Sequence, residues 1–296
     1  MTAMSGQGAL ITRPARRLSW SWLGLVPFFG FAILFIGLPV GYLILGSFQG
    51  LDGQPTLQNY ADLWSPTTAT AFVTSVEVSL VTAVVGGIFG FLLAYAVILG
   101  GLPRVIRDAL MTFSGVASNF AGVPLALAFI FTLGQLGVVT IWLRGLGIID
   151  LYPSGFTIYS KLGIELVYLY FQFPLMVLII APAIDGLRPE WREAAENMGA
   201  SSRQYWQRVA LPILMPTLLG TIILLFGNAF GAYATAYQLT GGLIPLVPLL
   251  IGNQISGDVL HNPGLGYAMA MGMVIVMAGS IVVYTWLQRR AERWRR

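Results

Sequence analysis

Residues 185–212 read DGLRPEWREAAENMGASSRQYWQRVALP and lie between two long uncharged runs. Pro189 opens a helix, because its missing N–H would be unpaired in the first turn anyway. Glu190 and Glu193 then sit near the positive end of the helix dipole. Trp191, Ala194, Ala195 and Met198 follow the i, i+3, i+4, i+7 spacing of one apolar stripe, with Arg192, Glu193, Glu196 and Asn197 on the other face. Gly199 closes the helix in the left-handed conformation that glycine adopts at little cost. Ser201 or Ser202 caps a second short helix carrying Tyr205, Trp206 and Val209 on one side, and Pro212 marks the start of the next apolar run. Small alanines in the middle of an apolar stripe let a partner backbone come close. Two readings follow: a rigid knob that docks into a groove on another protein, or an amphipathic hairpin lying on a membrane or on its own bundle.

Outward from this segment the chain is almost free of charge. Of 296 residues only 9% are charged, 56% are apolar, and the mean hydropathy is +0.77. An ordinary soluble domain is about 25% charged, and a soluble fold of this size could not hide so much apolar surface. Disorder needs the opposite composition. The charge-free runs are 18–51, 78–103, 109–143, 166–184, 209–257 and 259–288. A spanning helix needs about 20 apolar residues. Six spans are therefore predicted, with cores at Leu23–Phe48, Phe72–Leu99, Met111–Leu133, Ile164–Ile184, Ile213–Tyr233 and Leu265–Leu287. Gly241, Gly242, Pro245 and Pro248 interrupt residues 240–257, which read as an outer loop or re-entrant turn rather than a seventh span. The first apolar run is too long for the h-region of a cleaved signal.

Six spans assign every loop. Arg13, Arg16, Arg17, Arg104, Arg107, Arg188, Arg192, Arg203, Arg208, Arg289, Arg290, Arg293, Arg295 and Arg296 fall on the inner side, and only Arg144 and Lys161 on the outer. The acids divide evenly. This is the positive-inside pattern, with both termini cytoplasmic. The net charge of +4 is thus a topology signal and not a nucleic-acid footprint. Trp20, Trp22, Trp64, Trp142 and Trp286 lie where interfacial anchors belong. The expected organisation is a cytoplasmic tail (1–19), a six-helix all-α membrane domain (20–287, with 185–212 as its inner loop) and a basic tail (288–296).

Glu193-Ala194-Ala195, three residues, Gly199, nine residues, Val209, one residue and Leu211-Pro212 together resemble the EAA motif, Glu-Ala-Ala-x3-Gly-x9-Ile-x-Leu-Pro. Val209 for Ile is the one departure. That motif marks the permease subunits of binding-protein-dependent ABC importers of type I (MetI-like) fold. The resemblance implies that the loop is a coupling helix seated in a cleft of a separate cytoplasmic ATPase, present in two copies. Glu193 would pair with a basic group there, Ala194, Ala195 and Met198 would pack closely, and Gly199 would form the turn. It also implies ATP and Mg²⁺ bound by the ATPase and no cofactor in this chain. An extracytoplasmic binding protein would deliver the solute, and a second permease, either a related subunit or an identical copy, would complete the pathway. Residues 231–242, GAYATAYQLTGG, are similar to permeases of the spermidine/putrescine group, so the expected solute is a polyamine or a similar small organic molecule.

The residues themselves agree that chemistry lies elsewhere. A phosphate-binding loop needs Gly-Lys followed by Ser or Thr. The one lysine, Lys161, follows Ser160 and precedes Leu162. Cysteine is absent, the one histidine is His261, and no His-Glu-x-x-His exists, so neither thiol chemistry, a metal site nor a catalytic site is expected. Polar residues within spans mark a pathway or serve as interhelical glue. Asn119, Gln172, Asn228 and Tyr233 are the pathway candidates, with Gln135, Tyr237 and Gln238 nearby. Glu77 either faces the outer mouth or pairs with Arg144 or Lys161. Pro124 and Pro174 break helix regularity, and Gly86, Gly87, Gly90, Gly272 and Gly279 allow close helix approach. The rival reading is an ion-gradient-driven secondary transporter or channel, which the lack of mid-membrane charges disfavours.

Overall fold

The computed structural model describes residues 24–149, 151–153, 155–256 and 261–292. The tail 1–19, Trp20 and Trp22, and residues 293–296 of the basic tail lie outside the described residues. The chain divides into two compact units, 1–43 and 44–296. The first contains most of helix α1 (Val26–Ser47), which is apolar on every side and buries none of its apolar length. A helix of that kind suits hydrocarbon, not water.

Within the second unit the helices are α2 (Gln58–Asp62), α3 (Pro66–Leu99), α4 (Arg104–Asn119), α5 (Gly122–Leu133), α6 (Val138–Gly145), α7 (Lys161–Asp185), α8 (Pro189–Asn197), α9 (Ser202–Phe230), α10 (Ala234–Thr240), α11 (Val247–Ser256) and α12 (Pro263–Glu292). Among the described residues six helical segments are long and apolar enough to span a membrane, the number expected.

The third of them covers Gly122–Gly145 rather than the expected Met111–Leu133. The expected stretch is broken between α4 and α5, where Phe120 and Ala121 are extended and Gly122 has φ +74°. The cause is local competition for backbone groups. Ser118 Oγ and Asn119 Nδ2 both donate to the Gly115 carbonyl, at 3.1 and 2.9 Å. Pro124 has no N–H to offer the Phe120 carbonyl. Hydropathy is continuous through this stretch, so the break does not show in it.

The fifth span also differs. Instead of starting at Pro212, α9 runs unbroken from Ser202. One wide π turn covers Trp206–Ala210, and the Leu211 N–H reaches back to the Trp206 carbonyl. A proline ring crowds the carbonyl four residues before it, and the wider turn relieves Pro212 against Arg208. The same Leu-Pro pair ends a π turn in α1, at Ile33–Gly37 before Leu38-Pro39. At its far end α9 stops at Phe230, three residues short of the expected Tyr233. Among the described residues, 240–256 form no seventh span. Gly241 and Gly242, at φ +60° and +86°, turn the chain from α10 into the ten-residue α11. The Val247 N–H is held by Ser75 Oγ of α3 at 2.9 Å.

Helix α3 lies at the centre of this unit. A Cβ on Gly86 would stand 2.9 Å from Gln172 Cβ, one on Gly90 2.6 Å from Met176 Cβ, and one on Gly87 2.8 Å from Ile222. Bare glycines thus bring α3 against both α7 and α9. Gly272 is filled in the same way by Phe72, whereas Gly279 faces open space and serves no close approach. Ala83, Ala94, Met176, Val177, Ile180, Leu214 and Leu225 form the core of this junction. Two ion pairs mark opposite ends of α7: Asp185 with Arg107, and Lys161 with Glu77. Pro174 sits inside α7 without ending it.

Gly90→Leu should force α3 from α7 and destabilise the chain by at least about 1–3 kcal/mol, while Gly279→Ala should be neutral. Thermal unfolding of both variants in one detergent checks this.

Candidate functional site

The hairpin formed by residues 187–205 is built almost wholly from local signals. Pro189 occupies the first turn of α8 and Glu190 lies beside it. Gly199, at φ +76°, reverses the chain, and the Gly199 and Ala200 N–H groups close the helix on the Glu196 and Ala195 carbonyls. Ser201, not Ser202, caps α9. Its Oγ accepts from the Gln204 N–H while Gln204 Oε1 accepts from the Ser201 N–H, a reciprocal capping box. Arg192 donates to Glu196 one turn on at 2.8 Å. Their shared hydrogen bond raises the already high pKa of this guanidinium, which stays charged at any working pH.

The apolar stripe divides. Ala195 turns inward and is 4% exposed, packed with Tyr205 and Ala210 against Leu187, Ala200, Trp206 and Val209. Ala194, Glu193 and Gly199 are exposed, and Met198 is 80% exposed. Successive helix residues differ by about 100°, so the two alanines can face different ways. Ala195 makes the hairpin compact, whereas Glu193, Ala194 and Met198 present its outer face. Leu211 is half-buried and Pro212 exposed at the start of the apolar part of α9.

The hairpin is joined firmly to the bundle. Trp206 meets Tyr95 of α3 edge to face at 5.0 Å and Tyr205 at 6.3 Å. Leu187 packs into both the hairpin core and the central core. Trp206 follows directly on Tyr205 within α9, so displacement of the hairpin is displacement of α9.

The intramembrane candidates fall into two groups. Gln172 is fully buried in the α3–α7 seam. It donates to Thr82 Oγ1 at 2.8 Å, and its Oε1 has no partner. This is the arrangement of interhelical glue. Asn119, Asn228 and Tyr233 are exposed. Asn228 lies at the rim of a groove of about 590 Å³ whose other walls include Leu175, Gly220, Gly227, Met277 and Tyr284. Tyr233 packs over Gly252 and stacks on Tyr237 at 5.5 Å.

The structure brings together two helix breaks, Asn119–Gly122 and Gly231–Tyr233. Thr235 Oγ1 accepts the Gly122 N–H at 2.8 Å, and the Tyr168 hydroxyl donates to the Ala232 carbonyl at 2.9 Å. Phe120 also packs on Tyr170. Tyr168 and Tyr170 lie roughly 10–14 Å along α7 from Lys161, at about 1.5 Å per residue. The breaks therefore lie at the level of the α7 span, at the ends of the spanning segments Gly122–Gly145 and Ser202–Phe230, yet Asn119, Phe120, Ala121, Gly231 and Tyr233 are exposed. Non-helical backbone at membrane depth is tolerated only against protein or water. This face is thus closed by a partner or bathed by an aqueous path, not by lipid. Thr235 and Tyr168 were not among the sequence candidates. Gly231 and Pro124 were their nearest signals.

Residues 86–296 match the family described as binding-protein-dependent transport system inner membrane component. The chain is 26% identical over 293 residues to the probable sulfate transport system permease protein cysT of Nephroselmis olivacea, covering 96% of this chain and 94% of that one. It is 28% identical over 271 residues to the spermidine/putrescine transport system permease protein PotB of Salmonella typhimurium (strain SL1344), covering 88% and 91%. Among solved structures it is similar to a chain of a bacterial alginate ABC transporter in complex with an alginate pentasaccharide-bound periplasmic protein. The TM-score there is 0.72 at 16% identity, covering 91% of this chain and 94% of that one, which is a likeness of fold.

Gly199→Val should cost about 1–2 kcal/mol, the penalty of a branched side chain at positive φ, and Ser201→Ala about 1 kcal/mol through loss of the cap. Limited proteolysis within 187–205 should accelerate in both variants while the transmembrane core stays intact.

Proposed function

The chain belongs to the inner membrane components of binding-protein-dependent transport systems, a multi-pass permease subunit of a type I ABC importer, and from that membership we propose how it works and what it carries. Two copies of a cytoplasmic ATPase hold ATP and Mg²⁺, and each docks on one hairpin such as 187–205. Glu193 meets a basic group of the ATPase, and Ala194 and Met198 enter its cleft. Closure of the ATPase pair pulls the hairpins together and swings α9, so that the pathway alternates between the two sides of the cell inner membrane. Both termini are cytoplasmic. An extracytoplasmic binding protein supplies the solute, and a related second permease supplies the other wall of the path.

The observation that carries this reading is the exposed Glu193–Ala194–Met198 face on a hairpin whose own core is closed by Ala195. A surface this rigid, continuous with a membrane-spanning helix, suits transmission of force. The proposed solute is a polyamine or a similar small organic molecule. Support comes from the likeness of residues 231–242 to the spermidine/putrescine permeases and from the PotB relative. The cysT relative makes sulfate the competing choice.

Glu193→Lys should abolish co-purification of the ATPase without lowering the thermal unfolding midpoint. Full retention together with full solute uptake would refute the docking role. Asn228→Leu should lower uptake several-fold with assembly unchanged, and unaltered uptake would remove Asn228 from the pathway.

A further inference from the structure

Peroxide oxidises an accessible thioether sulfur, and a thiolate more readily still. The chain has no cysteine, so no thiol competes for the oxidant. Among the described residues one methionine is exposed. Met198 is 80% exposed, whereas Met176 and Met269 are 0% and 1% exposed. Met111, Met215, Met271, Met273 and Met277 are half-buried in the apolar stretches of α4, α9 and α12.

Position gives that exposure a consequence. Met198 directly follows α8, and its N–H reaches the Ala194 carbonyl at 3.2 Å. With Trp191 and Ala194 it forms the apolar line that stays exposed on the hairpin once Ala195 has turned inward. The cluster that holds the hairpin closed is built from Ala195, Tyr205 and Ala210 and does not include it. A change at the Met198 sulfur therefore alters the surface and leaves the fold alone.

We infer that Met198 is a reversible oxidation site that switches ATPase docking, a regulation that rests on the docking reading above. Hydrogen peroxide is the oxidant. The Met198 sulfur attacks one peroxide oxygen, an S–O bond forms as the O–O bond breaks, and the second oxygen leaves as water. Sulfur gives up two electrons and becomes the sulfoxide. A dithiol reductase reverses the step, releasing the oxygen as water while its own two thiols become a disulfide. The sulfoxide puts a strong hydrogen-bond acceptor where an apolar thioether had been, and burying an acceptor without a donor is costly. The undocked chain is the form that reacts, because docking covers Met198.

The test starts with the full chain in lipid nanodiscs without ATPase. Hydrogen peroxide is added and then destroyed with catalase, and peptide mass spectrometry follows sulfoxide at each methionine. Met198 should oxidise roughly tenfold faster than any other described methionine, and equal rates would overturn the site. The ATPase is then added. Oxidised chain should retain at most about one tenth of the ATPase held by untreated chain, at an unchanged unfolding midpoint, and methionine sulfoxide reductase should restore it. Met198→Leu has no sulfur there, so peroxide should leave its retention where it began, whatever that level is. Unchanged retention after Met198 oxidation, equal loss in Met198→Leu, or a lowered midpoint would each overturn the switch. Glu193→Lys separates the two readings. If it releases the ATPase and oxidation does not, the switch alone fails. If oxidation releases the ATPase and Glu193→Lys does not, the Glu193 contact alone fails.

Discussion

Hydrocarbon has no hydrogen bonds to offer, so each backbone group within a bilayer must find its partner in the protein or in enclosed water. The fold follows from that constraint. It explains why the spans are helices and why the departures from regular helix carry meaning. The π turns before Pro39 and Pro212 keep the backbone paired around a residue that lacks an N–H. The breaks at Asn119–Gly122 and Gly231–Tyr233 are different. They are partly satisfied through Thr235 and Tyr168 and otherwise exposed. Groups left in that state within a span mark a surface that does not meet lipid.

The same two regions lie at the ends of one rod. Helix α9 runs from the Ser201 cap to Phe230, roughly 43 Å at about 1.5 Å per residue. One end carries the 187–205 hairpin and the other ends at the break before Tyr233. Trp206 against Tyr95 and Gly87 against Ile222 tie the rod to α3. Force applied at Glu193, Ala194 and Met198 therefore has a short and stiff route to the exposed breaks. Packed helices in close contact along bare glycines transmit strain rather than absorb it.

Much of this was legible before any coordinates. Charge-free runs located the spans, because a charge is costly in hydrocarbon. Pro189, Gly199 and Ser201 located the hairpin, because caps and turns are decided within a few residues. The failures lie where a local rule was overridden or where helix rotation mattered. The third span reads as one apolar run, yet two side chains competing for the Gly115 carbonyl and a proline nine residues on divide it. The inward turn of Ala195 depends on Tyr205 and Ala210, which lie across the turn in a helix whose phase is shifted by the π turn. The placement of Gln172 depends on how α7 is rotated against Thr82 and Gly86, and periodicity alone does not encode this.

The proposed transport path requires that the exposed breaks face water and not a partner surface. The chain contains no cysteine, so single cysteines can be introduced on a silent background. Asn119→Cys, Ala121→Cys and Ala234→Cys, with Ile88→Cys and Ile275→Cys as positions exposed on regular helix, should be treated in intact membranes with a small charged thiol reagent. Rapid labelling at the three break positions and none at the two helical ones is the predicted result. Protection of the break positions equal to that at Ile88 and Ile275 would place these breaks out of reach of water and contradict the account.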